Sequence, residues 1–318
     1  MLYPWQIETW QRFTQQYEQQ RVPHAVILTG VSGLGQLTLA EKMAMLVLCE
    51  QQDLIEPCGE CHSCQLFLAG NHPDHTVISP EEDGKQIKIE QIRGLKQKQT
   101  LTANVSQWKT AILMPAEAMN INASNSLLKL LEEPQQNTFL ILISSALAHL
   151  PITILSRCQK VPSSLPSADM AISWLKSEGD FIQTDIEKAL TMAKSAPLTA
   201  LSLLADGSLE YLEQVSRDFT ALLQHKANPV QLAQQWQKYD LKLVMHYLQL
   251  RLKDRIANNN SKQQNLRSNP QNWQIYDCII NTIKLLSSSN NINKVLLIEQ
   301  FMVSVMGYPT SENTVLNQ

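Results

Sequence analysis

The chain has 318 residues and a formal net charge of −3 (pI about 6.2), which argues against strong non-specific nucleic-acid binding by the chain alone, although a local basic patch stays open. Its 44% hydrophobic and 17% charged residues are typical of a globular protein of two or three domains. No apolar run approaches the roughly 18 residues of a membrane span and residues 1–6 lack a signal-peptide pattern, so we expect a cytoplasmic protein whose six cysteines are thiols or metal ligands.

The first half of the chain alternates strand-like and helix-like segments. Four strands are predicted, at 24–29, 74–79, 109–114 and 138–144, and residues 159–161 are a candidate for a fifth. Helical spacing predicts helices between them, at 37–49, 89–100 and 121–133. Because the strands are continuously apolar, they indicate an α/β fold with a parallel sheet covered by helices on both faces.

The pattern changes after residue 161. Residues 162–167 contain two prolines and three serines and predict a hinge-like linker. Beyond it, 168–197 has the size of a small helical domain, and 198–309 predicts four or five longer helices. The Asn- and Gln-rich residues 258–272 predict a mobile loop, and 310–318 a frayed end.

The segment GVSGLGQL at 30–37 follows the first strand and has the glycine frame of a phosphate-binding loop. A working loop reads G-x-x-x-x-G-K-[ST], with a Lys for the phosphates and a hydroxyl for Mg²⁺. Gly30, Gly33 and Gly35 keep the backbone freedom, but Gln36 replaces the Lys and Leu37 the hydroxyl. We therefore expect no ATP hydrolysis here, while residual nucleotide binding stays open.

An ATPase site also needs acids at the end of a second strand, an Asp for Mg²⁺ and a Glu for water. Pro115 and Ala116 follow the strand at 109–114, and Glu117 comes about three residues late, in the turn before the next helix. An ordinary strand without a lost site would look the same. Two independent defects favour a degenerate ATPase.

Four cysteines fall within 16 residues, at Cys49, Cys58, Cys61 and Cys64. This spacing can supply a tetrahedral zinc site, and thiolates in all four positions leave no open position for catalysis. An iron–sulfur cluster uses a related run, but its following C-x3-C-P element is missing. The neighbouring histidines are predicted on the surface, with replacement of Cys49 by one of them as the alternative: His62, His72 and His75.

Two further segments have both a structural and a functional interpretation. In Ser156-Arg157-Cys158, the arginine alone is explained equally by a surface charge, a sheet-end ion pair or a functional group. In LLKLLEEP at 127–134, the leucines have core spacing, and the charged residues are predicted exposed, where they support subunit contacts or are simply solvated: Lys129, Glu132 and Glu133. The lone Cys278 is predicted in a helical core.

Together these motifs resemble the clamp-loader branch of the AAA+ ATPases, in particular subunits of the bacterial DNA polymerase III clamp loader. The resemblance covers about half the chain and is carried by PHA at 23–25, the loop 30–37, the four cysteines, HPD at 72–74, PAEAMN at 115–120, NSLLKLLEEP at 125–134 and SRC at 156–158. The helical remainder matches in length and class only.

The resemblance implies three domains: a RecA-like α/β domain over 1–163 with an inserted zinc module (49–64), a helical lid over 164–206, and a helical collar over 207–318 that oligomerises. It implies a stator without intrinsic ATPase activity, in a five-membered ring with the tau and gamma ATPase subunits and the delta subunit. The ring loads the sliding clamp onto primed DNA during DNA replication. Arg157 is then an arginine finger for ATP bound on a neighbouring subunit, and Ser156 and Cys158 position its turn.

Two other functions stay open. A working ATPase of the same machine is disfavoured by Gln36, Leu37 and the missing acids. A zinc-dependent nucleic-acid-binding module is disfavoured by the acidic balance and the closed cysteine site.

Overall fold

The computed structural model describes the backbone of residues 1–51, 53–82, 85–262, 270–287 and 293–307, and the side chains of these except 254, 255, 257–262, 270, 271 and 287. The chain divides into two compact units. The first unit comprises residues 1–180 and 193–199, and the second unit 181–192 and 200–318. The domain boundaries at 163 and 206 stay a prediction. No helix in the described part of the chain is both long and apolar enough to cross a bilayer.

The first unit is built on a parallel sheet of five strands, as the apolar runs predict. The strands are β1 (Ala25–Thr29), β2 (His75–Ile78), β3 (Lys109–Leu113), β4 (Thr138–Ser144) and β5 (Gln159–Pro162). Their order is β2-β3-β4-β1-β5, and Thr29 at the end of β1 lies opposite Ser144 and Pro162. The carboxyl ends of β1, β3 and β4 therefore meet at one edge, where open parallel sheets bind their ligands.

Helices cover both faces of this sheet. The α-helices that lie wholly in the first unit are α1 (Ile7–Glu18), α2 (Gln36–Leu48), α3 (His62–Leu68), α4 (Ile89–Thr100), α5 (Ile121–Glu132), α6 (Ile152–Leu155) and α7 (Ala168–Glu178). Because strand side chains alternate between faces, Leu140 and Leu142 belong to one hydrophobic cluster, whereas Ile141 and Ile143 belong to the other. This arrangement confirms the doubly covered α/β fold.

Helices α1 and α3 were not predicted from the sequence. The buried stripe of α1 consists of Trp10, Phe13 and Thr14 at helical spacing, a signal that the sequence contains and that the prediction did not use. Helix α3 is short and begins inside the cysteine module, where Cys61 caps it. Short helices of this kind are stabilised by tertiary contacts more than by their own pattern.

The second unit is helical, as predicted. Its helices are α8 (Gln183–Met192), α9 (Pro197–Ala205, which begins in the first unit), α10 (Ser208–Leu223), α11 (Pro229–Trp236), α12 (Leu241–Lys262), α13 (Pro270–Ser287) and α14 (Lys294–Met306). Phe219, Trp236 and Phe301 lie at the centre of its core, and Cys278 packs against that core partly buried.

The predicted mobile loop at 258–272 is wrong at both ends. Residues 258–262 continue α12 and residues 270–272 begin α13, while 263–269 lie outside the described residues, as do 310–318. The helix persists into the polar run because Leu248, Leu252 and Ile256 recur at four-residue spacing and are buried in the core.

Candidate functional site

The glycine loop connects β1 to α2, as the sequence predicts. Gly30, Gly33 and Gly35 have φ angles of 155°, 89° and 75°, which residues with a side chain rarely adopt. Gly35 is also the N-cap of α2. The backbone geometry of a phosphate-binding loop is therefore present, with a helix N-terminus behind it.

The chain's own groups bind the carbonyl oxygens of this loop. The side chain of Gln36, which is 7% exposed, turns back so that its Nε2 donates a hydrogen bond to the carbonyl of Val31 at 2.8 Å. The backbone N–H of Leu198 donates to the carbonyl of Gly33 at 3.1 Å. The residue in the Lys position therefore binds the loop itself, not a phosphate.

The N-terminal segment closes the loop from a second side. Gln6 Nε2 donates to the carbonyls of Leu34 (3.0 Å) and Gly35 (2.6 Å), and Trp5 Nε1 donates to the carbonyl of Leu34 at 2.9 Å. A Cβ added to Gly35 would lie 2.5 Å from Cδ2 of Tyr3. Nothing in the local pattern of Tyr3, Trp5 and Gln6 indicates that they contact the glycine loop, so this contact could not be predicted from the sequence.

A cavity of about 380 Å³ remains beside the loop. Leu37, Met114, Pro115 and Ile143 contribute its apolar surface, and none of the ten described residues that line it carries a charge. A nucleotide polyphosphate needs a cation and metal ligands. These described walls supply no cation and no carboxylate.

Glu117, the acid nearest to the end of β3, has a structural role. It lies in a 3₁₀ turn (Ala116–Ala118), and its Oε1 accepts hydrogen bonds from the backbone N–H (3.0 Å) and hydroxyl (2.8 Å) of Ser145. Burial acts to raise the pKa of Glu117, but hydrogen bonds from its own N–H, Ser145 and Ser144 outweigh it and lower that pKa. The carboxylate therefore ties this turn to the end of β4.

The four cysteines come together in the first unit. All four Sγ atoms lie within 4.8 Å of one another, with 3.6 Å between Cys49 and Cys58, 4.0 Å between Cys49 and Cys61, and 3.9 Å between Cys58 and Cys64. A tetrahedral zinc site with Zn–S bonds of about 2.3 Å requires sulfur–sulfur separations of roughly 3.8 Å. The cluster thus has the ligand number and spacing to hold a metal ion.

His72, predicted on the surface, is instead buried at 5% exposure. Its Nδ1 accepts the backbone N–H of Asp74 at 3.1 Å, and its Nε2 lies 2.8 Å from the hydroxyl of Ser63. Burial lowers the pKa of His72, so the ring is neutral, and Nε2–H donates to Ser63. His62 is exposed, as predicted, and His75 is partly buried.

Asp74 extends this chain of hydrogen bonds away from the cysteine module. Its carboxylate accepts backbone N–H groups from Asn104 (2.7 Å), Val105 (2.8 Å) and Ser106 (3.0 Å). Burial acts to raise the pKa of Asp74, but these three donors outweigh it and lower the pKa below its usual 3.8. Asp74 therefore fixes the residues before β3 and is ionised at neutral pH.

We expect Asp74→Asn to lower the free energy of unfolding at pH 7 by about 1.5–3 kcal/mol, because three backbone donors lose a charged acceptor. A carboxyl with a lowered folded pKa stabilises above its unfolded pKa, and this stabilisation disappears as the pH falls through the folded value. Urea unfolding from pH 7 to pH 3 should show the two proteins converging below about pH 4. The exposed Asp180→Asn is the control, and a difference that does not change with pH would contradict the prediction.

Arg157 lies in the turn between α6 and β5. Its Nη2 forms an ion pair with Oε1 of Glu132 at 2.7 Å, and its Nη1 donates to the carbonyl of Thr153 (3.0 Å) and the hydroxyl of Ser156 (3.3 Å). Cys158 is buried, and burial raises the pKa of its thiol to about 11, so it packs as an unreactive residue. Glu132 is exposed, as predicted. Its ion pair with Arg157 was not predicted.

Comparison with known proteins places these features in a family. A family model described as DNA polymerase III, delta subunit, matches residues 5–164. DNA polymerase III subunit delta′ of Pseudomonas aeruginosa is 38% identical over 247 residues, which are 77% of this chain and 74% of the relative. The chain belongs to the DNA polymerase III subunit delta′ family. The delta′ subunit of Haemophilus influenzae is 35% identical over 231 residues, 73% of this chain and 70% of the relative.

Other members of the delta′ family are more distant. The subunit of Escherichia coli K12 is 29% identical over 201 residues, 63% of this chain and 60% of the relative. Among solved structures, a DNA polymerase III gamma subunit-related protein from Thermotoga maritima aligns with 94% of this chain and 99% of its own length, at 16% identity and a TM-score of 0.45. The membership in the delta′ family confirms the resemblance drawn from the motifs.

Proposed function

We propose that this delta′ family member is the non-hydrolysing stator of a DNA polymerase III clamp loader, and that it presents Arg157 to ATP bound on a neighbouring subunit. Membership in the family supports the clamp-loader role. The observation that carries the non-hydrolysing part is the glycine loop, whose carbonyl groups are bound by Gln36, Gln6 and Trp5.

The loop keeps the backbone conformation of a nucleotide site but lacks the side chains that bind phosphate and Mg²⁺. Gln36 has no charge to offer the phosphates, and Leu37 has no hydroxyl for Mg²⁺. Glu117 lies in the turn after β3, where its Oε1 accepts hydrogen bonds from Ser145, and not at the strand end where a water-activating Glu stands. These features disfavour a working ATPase site in this chain.

Arg157 supports the second part of the proposal through its chemistry and exposure. Its side chain is 35% exposed, so the guanidinium is accessible to a partner. The guanidinium has five N–H donors, and the three contacts observed leave donors for phosphate oxygens. Because it is permanently charged, it offsets the negative charge that develops on a transferred phosphoryl group.

The metal ion and the partner proteins also belong to this proposal. We assign structural zinc to the four cysteines, because a closed set of four thiolates leaves no position for substrate. The tau and gamma ATPase subunits, the delta subunit, the sliding clamp and primed DNA are the partners that a clamp-loader subunit requires.

The proposal is tested by ATP hydrolysis in a reconstituted clamp loader with clamp and primed DNA. We expect Arg157→Ala to reduce turnover at the site that receives Arg157, by up to about 10³-fold on the scale of known arginine fingers. Arg157→Lys should recover little, because an ammonium cannot fork onto two oxygens.

The exposed Arg21→Ala is the matched control for the loss of a positive charge. Gel filtration must show that each variant still assembles with the other subunits. Unchanged turnover in an assembled Arg157→Ala complex would assign Arg157 a structural role only.

A further inference from the structure

We propose that Glu132 competes with ATP for Arg157: it holds the guanidinium within this chain and releases it when the phosphate oxygens of ATP on the neighbouring subunit bind there. The inference rests on the proposed function of Arg157. Glu132 is the last residue of α5, and its Oε1 lies 2.7 Å from Nη2 of Arg157. It is thus placed at the charged end of the proposed finger.

The contacts of Arg157 divide into a local anchor and a longer-range partner. Nη1 is bound by the carbonyl of Thr153 and the hydroxyl of Ser156, both within four residues along the chain. Glu132 alone among these contacts comes from a different helix. The local pair fixes one side of the guanidinium, so Glu132 is the contact that phosphate oxygens would replace on the other side.

The exposure of the pair makes the contact exchangeable. The side chains of Arg157 and Glu132 are 35% and 48% exposed. Ion pairs at such exposure contribute little, because water screens them. A polyphosphate carries more charge than one carboxylate and accepts the same fork, so it can displace Glu132 from the guanidinium.

Two lysines share a surface recess with Glu132 and provide positive charge near its carboxylate. Glu132 lines a recess of about 400 Å³ together with Lys96 and Lys129. Lys129 precedes it by one turn of α5, and residues at this spacing on a helix are neighbours. The released carboxylate therefore remains beside positive charge, which makes the release of Arg157 less costly.

Competition between Glu132 and phosphate predicts the sign of the mutational effect. Glu132→Gln keeps the shape of the side chain but removes the charge that competes for Arg157. We expect ATP turnover by the reconstituted clamp loader to rise about two- to fivefold. This factor corresponds to the free energy of a typical exposed ion pair, which no longer has to be broken. A residue that merely orients Arg157 for catalysis would give a decrease instead.

The experiment compares Glu132→Gln, Arg157→Ala and the double variant in the reconstituted complex. Glu133→Gln is the matched control, since it removes the same charge from the next, exposed residue. We expect the rise with Glu132→Gln, no rise with Glu133→Gln, and no effect of Glu132→Gln when Arg157 is already Ala. A decrease, an unchanged rate, or an equal effect in both backgrounds overturns the inference.

Turnover by the single variants separates the two proposals, and urea unfolding of the same variants as isolated chains tests the ion pair itself. If Arg157→Ala lowers turnover but Glu132→Gln does not raise it, the inference about Glu132 fails and the finger stands. If Arg157→Ala leaves turnover unchanged, both fail. Coupling between the two substitutions in unfolding would then show that their ion pair is purely structural.

Discussion

Replacing Cys61 by Ser is expected to remove the metal and to destabilise the first unit by at least about 3 kcal/mol, a fraction of the roughly 10–16 kcal/mol that zinc supplies to isolated zinc fingers. Cys61 is a member of the cluster, and its Sγ also accepts the backbone N–H of Cys64 at 3.4 Å. Its loss therefore affects both the metal and the start of α3. Elemental analysis and urea unfolding of freshly purified protein measure the two effects.

The lone Cys278→Ser is the control for this substitution, because Cys278 lies in the second unit, outside the cluster. It should keep the metal and lose little stability. We expect one zinc per chain in the wild type. Protein purified without metal, or a Cys61→Ser protein as stable as the wild type, would contradict the structural zinc assignment.

Replacing Gly35 by Ala is expected to destabilise the first unit by about 2–5 kcal/mol. The φ angle of 75° costs a residue with a side chain roughly 1–2 kcal/mol, and overpacking adds about 1–3. The new Cβ would lie 2.5 Å from Cδ2 of Tyr3 and 2.9 Å from Nε2 of Gln6. Tyr3 stacks on Trp5 at 5.1 Å, and both rings contact the edge of Trp174, so Tyr3 cannot move alone.

Gly70→Ala separates the backbone cost from the contact. Gly70 has a φ angle of 72°, but a Cβ there meets nothing within 4 Å. It should therefore lose only the roughly 1–2 kcal/mol of backbone strain. Urea unfolding compares the variants, and tryptophan fluorescence reports on the cluster of rings. Equal losses at Gly35 and Gly70 would show that the N-terminal segment does not press on the loop.

The elements that local patterns define could be predicted from the sequence. All seven residues of β4 are buried, so their continuous apolar run defines Thr138–Ser144 without any knowledge of neighbours. The glycine loop and the four cysteines are likewise short segments whose chemistry is set by spacing. The Pro- and Ser-rich segment 162–167 is another local pattern, and β5 ends where it begins.

Contacts between distant segments could not be predicted in this way. Trp5 reaches Leu34 across 29 residues, and its sequence neighbours carry no trace of that hydrogen bond. The burial of His72 depends on Ser63, which a single sequence does not place beside it. The pairing of Glu132 with Arg157 joins two helices whose relative position only the fold defines.

The hydrogen bonds from the chain's own side chains to the glycine loop have a thermodynamic consequence for the subunit. In an ATPase, the loop gains its partners when ATP arrives, so the stability of the folded state rises with nucleotide concentration. Here side chains of the same chain, those of Gln36, Gln6 and Trp5, hold the carbonyl groups of the loop. We therefore expect folding of the first unit to depend less on ATP than folding of an ATPase subunit does. In the clamp loader that we propose, the first unit would then serve as a fixed reference whose stability does not follow the nucleotide state of its neighbours.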